Sequence, residues 1–275
     1  MNKPEYIIDI PADDYHAATK ANEYTTSHRL QLFRRCPALY FKHISGEIVE
    51  ADTAAFTFGR ATHTLVIEGP DKFNAEYVVA DGPVNPKTNA PYGKTTKAYL
   101  DWAAQQTRQV IGSEDHALFL KMREAVFGHD KAREIFAAGF PEATMRTTWL
   151  DEPVQIRADW YDPERNLIAD LKTCADVDRF QYDVRDFGYV HQLAFYAQVA
   201  AKVSGKPLPE CWLVAVEKRE PFRVACFVIL PGTIEEANNG AGGKLGLGNC
   251  AALEELKDCR TKNRWPTRYE GYGQI

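Results

Sequence analysis

No stretch of the 275-residue sequence approaches the ~18 consecutive apolar residues that a membrane span needs. The opening residues, MNKPEYIIDIPADDYH, contain no apolar leader segment, so a cytoplasmic location is expected. Positive charge is not in surplus: 33 Lys and Arg stand against 38 Asp and Glu, a net charge of −5. That excludes a protein that coats nucleic acid with its whole surface; such a partner would need a local basic face. The six cysteines are Cys36, Cys174, Cys211, Cys226, Cys250 and Cys259, and none forms a C-x-x-C pair. Disulfides are therefore not expected, and Cys211 and Cys226, set in apolar runs, read as core. Internal repeats and low-complexity tracts are also absent. What remains is an ordinary globular composition, 45% hydrophobic and 26% charged.

The chain changes texture once. Residues 26–44 open on a Thr/Ser cap signal and place Leu30 and Phe33 at helical spacing, with Tyr40 following a break at Pro37. Residues 54–68 read as a helix stopped by Gly69-Pro70. Residues 80–95, rich in Pro, Gly and Asn, read as a long exposed loop, and helices are expected near 95–110, 114–128 and 130–138. Strand-like segments then follow closely at 143–150, 154–161 and 167–173. A helix at 187–203, closed by Ser204-Gly205, separates them from strands at 211–217 and 222–230. The glycine-rich NNGAGGKLGLGN leads to a last helix near 250–259. This order predicts an α/β core behind a helical N-terminal layer. No firm boundary divides it, so one domain is expected over 1–275: a mainly helical part (1–140), a sheet with its helix (141–232) and a C-terminal helix and tail (233–275).

Within the sheet region, IADLKT (168–173) ends an apolar strand on Asp170 and Lys172. The turn DPERN (162–166) makes this strand the second arm of a hairpin. Symmetric pairing about Glu164 and Arg165 sets Asp159 opposite Asp170 and Arg157 opposite Lys172. Alternation then puts Val154, Ile156, Ala158 and Trp160 on one apolar face with Leu167, Ala169 and Leu171, and the four charged residues on the other. Opposed carboxylates, with Cβ atoms about 5 Å apart, repel each other. Either the nearby cations Arg157 and Lys172 compensate, or a divalent metal does. A solvated charged face is the alternative, common on antiparallel sheets.

Further residues carry a family resemblance. Asp159 followed by Asp170-Leu171-Lys172 resembles the D…(D/E)xK signature of the PD-(D/E)XK nuclease superfamily. Gly59-Arg60-Ala61-Thr62-His63 resembles the GxxxH element of its RecB-like branch. Gln192 to Tyr196 resembles its QxxxY element, and Ser27 through Cys36-Pro37 and Tyr40 resembles its opening helix. In this order, over residues 25–270, the set is most similar to the RecE-type (exonuclease VIII) domains of phages and prophages.

The resemblance implies a restriction-endonuclease-like core, a mixed central sheet flanked by helices. It implies that Asp159, Asp170, His63 and the backbone carbonyl of Leu171 ligate metal. Mg²⁺ is the expected ion, with Mn²⁺ as a substitute. Lys172 would orient the attacking water and stabilise charge at the phosphate, with Gln192 and Tyr196 leaning over the site from one helix face. By itself His63 reads as a half-buried structural histidine; the motif set reverses that. Glu68 and His191 are left outside the site. Arg34, Arg35, Lys42, Arg60, Lys94 and Lys97 are candidates for phosphate contacts. The implied activity is exonucleolytic digestion of linear double-stranded DNA, 5′ to 3′. It leaves 3′ single strands for a single-strand-annealing recombinase, and a ring-shaped homo-oligomer in the cytoplasm of a bacterial host carries it out. Some RecB-like nucleases hold an iron–sulfur cluster with one early and three late cysteines; here Cys36 matches the early position but only Cys250 and Cys259 lie in the late region, so a cluster, which needs four thiolates, is not expected. The rival readings are a structure-specific endonuclease of the same fold and a non-catalytic DNA-end-binding protein.

Overall fold

A computed structural model describes residues 3–49, 53–243 and 245–270; the end of the RWPTRYEGYGQI tail, 271–275, lies outside them. The N-terminal part runs α1 (Ala12–Lys20), α2 (Ser27–Arg35), α3 (Pro37–Ile44), α4 (Ala54–His63), a π-turn (Thr64–Glu68) and α5 (Pro70–Glu76). Short strands β1 (Tyr77–Val79), β2 (Val84–Asn85) and β3 (Ala90–Pro91) precede α6 (Lys97–Ala103), β4 (Gln109–Ile111), α7 (Ser113–Gly128) and α8 (Asp130–Ile135). The main strands follow: β5 (Phe140–Trp149), β6 (Glu152–Asp162), β7 (Leu167–Cys174), and, after α9 (Phe180–Asp186) and α10 (Tyr189–Ser204), β8 (Glu210–Glu217) and β9 (Val224–Ile229). The chain continues through α11 (Pro231–Asn239), β10 (Ala241–Gly243) and β11 (Gly246–Leu247) to α12 (Asn249–Lys262).

Local chemistry sets these boundaries. The Thr26 side chain accepts from Arg29 N and starts α2; Cys36 is extended, and Pro37 opens α3 at its first turn. The helix expected at 54–68 is continuous but changes pitch after His63, where Gly69 N donates to Thr64 O across a π-turn. The loop expected at 80–95 contains the β2–β3 hairpin, and the helix expected at 95–110 ends at Ala103, before β4 pairs with β1. The helices α1, α5, α9 and α11 carry weaker signals than their neighbours and were not expected.

The five main strands form one mixed sheet in the order β5-β6-β7-β8-β9, parallel only between β7 and β8. That parallel step needs a crossover, which α10 supplies. Both faces are covered. Leu167, Ala169 and Leu171 pack with Met122 and Val126 of α7, whereas Ile168, Leu213 and Ala215 pack with Leu193 and Ala197 of α10. The face that carries Asp170 is therefore not solvated: the α10 layer buries Asp170 completely. The expected apolar grouping also splits. Val154, Ile156 and Ala158 join the α10 side, and only Trp160 joins Leu167, Ala169 and Leu171. The side-chain alternation of β6 slips between Ala158 and Trp160, where the β5–β6 ladder lacks a Glu142–Asp159 rung and Glu142 has φ +50°. Among the described residues, no helix is long and apolar enough to cross a membrane.

Candidate active site

The hairpin register is the expected one, with rungs Trp160↔Ala169, Tyr161↔Ile168 and Asp162↔Leu167. It then stops. In place of the next backbone rung, Asp159 Oδ2 accepts from Leu171 N at 2.9 Å. A strand residue's N–H and C=O point to the same edge, so the Leu171 carbonyl faces this opening too. Asp159 and Asp170 thus flank a gap between strands and do not form a ladder pair.

Asp170 is held from α10. Gln192 Nε2 donates to Asp170 Oδ1 at 3.0 Å and lies 3.2 Å from the Tyr196 hydroxyl, one turn further on the same helix face. Lys172 Nζ sits 2.5 Å from Asp170 Oδ2, donates to Gln192 Oε1 at 3.3 Å and lies 4.5 Å from the Tyr189 ring centroid. An uncompensated carboxylate here would cost several kcal/mol. Burial, joined by the charge of Asp159, raises the Asp170 carboxyl above its usual range despite Lys172. Burial opposes the charge on Lys172, but Asp170 and Asp159 outweigh it and hold the ammonium more firmly than usual. Burial raises the Tyr196 phenol, which stays neutral.

His63 approaches from α4. Its Nε2 is 2.9 Å from Asp159 Oδ2, and its Nδ1 is 3.2 Å from Glu142 Oε1. Burial alone would lower the imidazole, but Asp159, Glu142 and Asp170 carry it up to about 9. Burial likewise works against the Asp159 charge; His63, Lys172 and the Leu171 N–H prevail and keep its carboxyl low.

The sequence reading missed Glu142. The same register argument one hairpin earlier finds it, because β5 and β6 pair about Leu150 and Asp151, which sets Glu142 across from Asp159. Arg157, expected to face Lys172, instead forms an ion pair with Glu142 and donates to Ile10 O at 3.2 Å.

Donor atoms of His63, Glu142 and Asp159 lie within 4.8 Å of one another. His63 Nε2 and Asp170 Oδ2 are buried and lack a partner with hydrogen-bond geometry. Two orphaned polar atoms beside carboxylates and a backbone carbonyl suit a hard divalent cation of the Mg²⁺ or Mn²⁺ type. Asp170 stands just outside the tight trio, committed to Gln192 and Lys172.

The site opens into a cavity of about 660 Å³, lined by His63, Glu142, Asp159, Leu171, Lys172 and Tyr196 among others. Glu68, left out at first, also lines this cavity; burial and the nearby Glu142 raise its carboxyl. Gly59 lines it as well, and a Cβ there would meet nothing within 4 Å, so the glycine leaves room for a ligand and not for the protein's own backbone.

The basic candidates scatter. Only Arg60 lines the cavity. Arg34 Nη1 donates to Asn249 Oδ1 at 2.6 Å, Lys42 pairs with Glu47 at 3.4 Å and Lys94 with Asp115 at 3.2 Å. Arg35 and Lys97 are exposed and line neither this cavity nor the groove described below.

A mixed sheet that offers an aspartate from one strand, D-x-K from the next and a histidine from a preceding helix defines a PD-(D/E)XK nuclease fold. The chain belongs to the family described as PDDEXK-like domain of unknown function (DUF3799), matched over residues 27–272. Among solved structures, it is similar to a Eubacterium rectale protein described as a "putative exonuclease". That likeness has a TM-score of 0.63 at 12% identity and covers 98% of this chain and 96% of the other. A phage-related exonuclease of Haemophilus somnus 129PT aligns at 15% identity over 87% of this chain and 96% of its own, but its TM-score of 0.37 supports no argument. No curated protein matches the chain.

Proposed function

We propose that the protein is a divalent-metal-dependent exodeoxyribonuclease that degrades linear double-stranded DNA from its ends. The observation that carries this reading is the buried Asp170–Lys172–Gln192 network set against His63, Asp159 and Glu142 at the mouth of one cavity. His63, Asp159, Asp170 and the Leu171 carbonyl would hold the metal, with Glu142 beside them on the Nδ1 of His63. A bound Mg²⁺ supplies Lewis-acid polarisation of the phosphate and lowers the pKa of water.

The chain's own groups do the rest. Lys172 is held protonated, so it acts as a donor: it orients the attacking water and neutralises charge that develops on the phosphate oxygens. Gln192 fixes Asp170 with its amide N–H and Lys172 with its carbonyl, so both keep one geometry. The neutral Tyr196 hydroxyl anchors Gln192 in turn. As the water oxygen bonds to phosphorus, the P–O bond to the leaving oxygen breaks; the water gives up its proton to solvent at the cavity mouth and the leaving oxygen takes one from it.

Attack from the 5′ end, a ring-shaped homo-oligomer, a recombinase partner for the 3′ strands and a cytoplasmic setting in a bacterial host belong to this proposal through the RecE-type resemblance. The test is incubation of linear duplex with Mg²⁺ and then with EDTA, beside closed circular DNA. Metal-dependent nucleotide release from the linear form alone is the expected result. Cleavage of the circle would instead identify an endonuclease, and no release from either would end the catalytic reading.

A further inference from the structure

A second cavity, of about 810 Å³, adjoins the first; His16, Thr19, His28, Phe56 and Arg60 line both. It is a groove between α1, α2, the end of α3 and the start of α4. The two parts of this continuous depression differ in charge balance. Glu68, Glu76, Glu142 and Asp159 line the metal end, where Arg157, Lys172 and His63 offset them. Lys20, Arg29 and Arg60 line the groove against a single carboxylate, Asp13. Among the described residues neither Lys20 nor Arg29 makes an ion pair. In a chain of net charge −5, this is a local cationic track leading to the proposed reaction centre.

The groove also carries apolar surface in the open. Phe56 is 56% exposed, Val49 83% and Ile48 37%, and all three line it. Duplex DNA presents phosphates but hides its base faces; an unpaired strand presents both. Cations interleaved with an exposed aromatic are the chemistry that recognises a single strand.

We propose that this groove binds a single DNA strand, with Arg29 and Lys20 on its phosphates and Phe56 stacked on a base, and leads that strand into the His63–Asp159 cavity. The proposal rests on the nuclease reading for the identity of the polymer. The groove holds the strand, and a divalent cation at the far end would add to the attraction that Lys172 offers the scissile phosphate.

Fluorescence anisotropy in EDTA tests this, with a labelled oligothymidylate of about twelve nucleotides, a length within the usual site sizes, and a blunt hairpin duplex as probes. Phe56→Ala and Arg29→Ala should each weaken oligothymidylate binding at least about fivefold, the lower end of the effect of one base stack. Arg29→Ala should also flatten the log–log salt dependence by about 0.7, one phosphate contact fewer. Lys257→Ala, which lines neither cavity, should bind as wild type. All variants should keep wild-type Mn²⁺ affinity, which confirms an intact metal end. Oligothymidylate binding unchanged in Phe56→Ala and Arg29→Ala overturns the proposal, as does equal affinity for duplex with no effect of Phe56→Ala. If wild type releases no nucleotides with any divalent metal yet these variants still lose the strand, the nuclease reading falls and the groove stands. Normal turnover with normal strand binding in the variants removes the groove and leaves the nuclease reading in place.

Discussion

Two buried carboxylates stand on neighbouring strands of the same sheet, Asp170 on β7 and Glu217 on β8, and they are treated differently. Glu217 is saturated. Its Oε1 accepts from Val177 N at 3.0 Å and Arg223 Nη2 at 2.7 Å, and its Oε2 accepts from Arg223 Nε at 3.0 Å. Arg223 also reaches Asp176 and Asp178, so a whole cluster closes on itself. Bonding by Arg223 holds the Glu217 carboxyl below its usual range. Asp170 has one well-made bond, from Gln192, and an Oδ2 that meets Lys172 without hydrogen-bond geometry. Burial leaves its carboxyl raised. A charge buried to hold a fold is given every partner it can accept; Asp170 is left with capacity, and that capacity points toward the gap where Leu171 and Asp159 already interrupt the ladder.

The contrast breaks most sharply under amide substitution. Asp170→Asn should lower nuclease activity by about 10³-fold or more, in the range of losing a key electrostatic group. Its melting temperature should fall only modestly, because Lys172 loses one partner but keeps Asp159 and the Gln192 carbonyl beside it. Glu217→Gln should show the opposite balance, leaving turnover at wild-type level and lowering the melting temperature more. Nucleotide release and thermal denaturation on the same preparations decide it. An active Asp170→Asn protein would show that the open valence is incidental.

The shared strand face of Asp170 and Lys172 was legible from alternation and from a turn that fixes hairpin register; Gln192 and Tyr196 came from the family resemblance, and their four-residue spacing puts them on one helix face. The register itself was right as far as Trp160↔Ala169. The sequence did not reveal where regularity stops. Nothing in VQIRADWY marks the slip between Ala158 and Trp160, which depends on Glu142 of another strand adopting φ +50°. Arg157 was misplaced for the same reason, since its partner lies on β5. The isolated cations fared worst. Arg34 and Lys94 read as candidates for phosphate contacts, but their partners, Asn249 and Asp115, come from distant positions that only the fold brings near. Lys20 stood out in no pattern because α1 was not expected, and Arg29, on the expected α2, because α1 forms the other wall of its groove.

Glu142 sharpens the comparison from the other side. It resembles Glu217 in being clamped by an arginine, yet its second oxygen turns to His63 Nδ1 and not back to the clamp. A carboxylate on the remote nitrogen fixes the tautomer and aim of a metal-binding imidazole. Glu142→Gln should therefore weaken Mn²⁺ binding about 10–100-fold, as loss of such a partner does. Titration of the apo protein with Mn²⁺ measures it. Unchanged affinity would place Glu142 with Glu217 among the structural carboxylates. Melting temperature in EDTA should move little, because Arg157 keeps its contacts to Ile10 and Thr144.

His191 tests whether an orphaned atom alone marks a site. Its Nε2 is buried without a partner, like that of His63, but it lines neither cavity, and among the described residues the charge that acts on it is Arg34, not a carboxylate. Burial and the nearby Arg34 lower its pKa to about 4. The unfolded chain takes up this proton near its ordinary pKa of about 6.5, well before the folded one does. Stability from this residue is thus constant above that value and falls as the pH is lowered through the window down to about 4. Each tenfold difference in proton affinity between the two states is worth about 1.4 kcal/mol, so the loss amounts to a few kcal/mol. His191→Gln should flatten this part of the melting-temperature profile relative to wild type and leave Mn²⁺ affinity unchanged. A variant that instead lost metal would put His191 in the centre, and orphaned polarity alone would then be enough to identify a site in this fold.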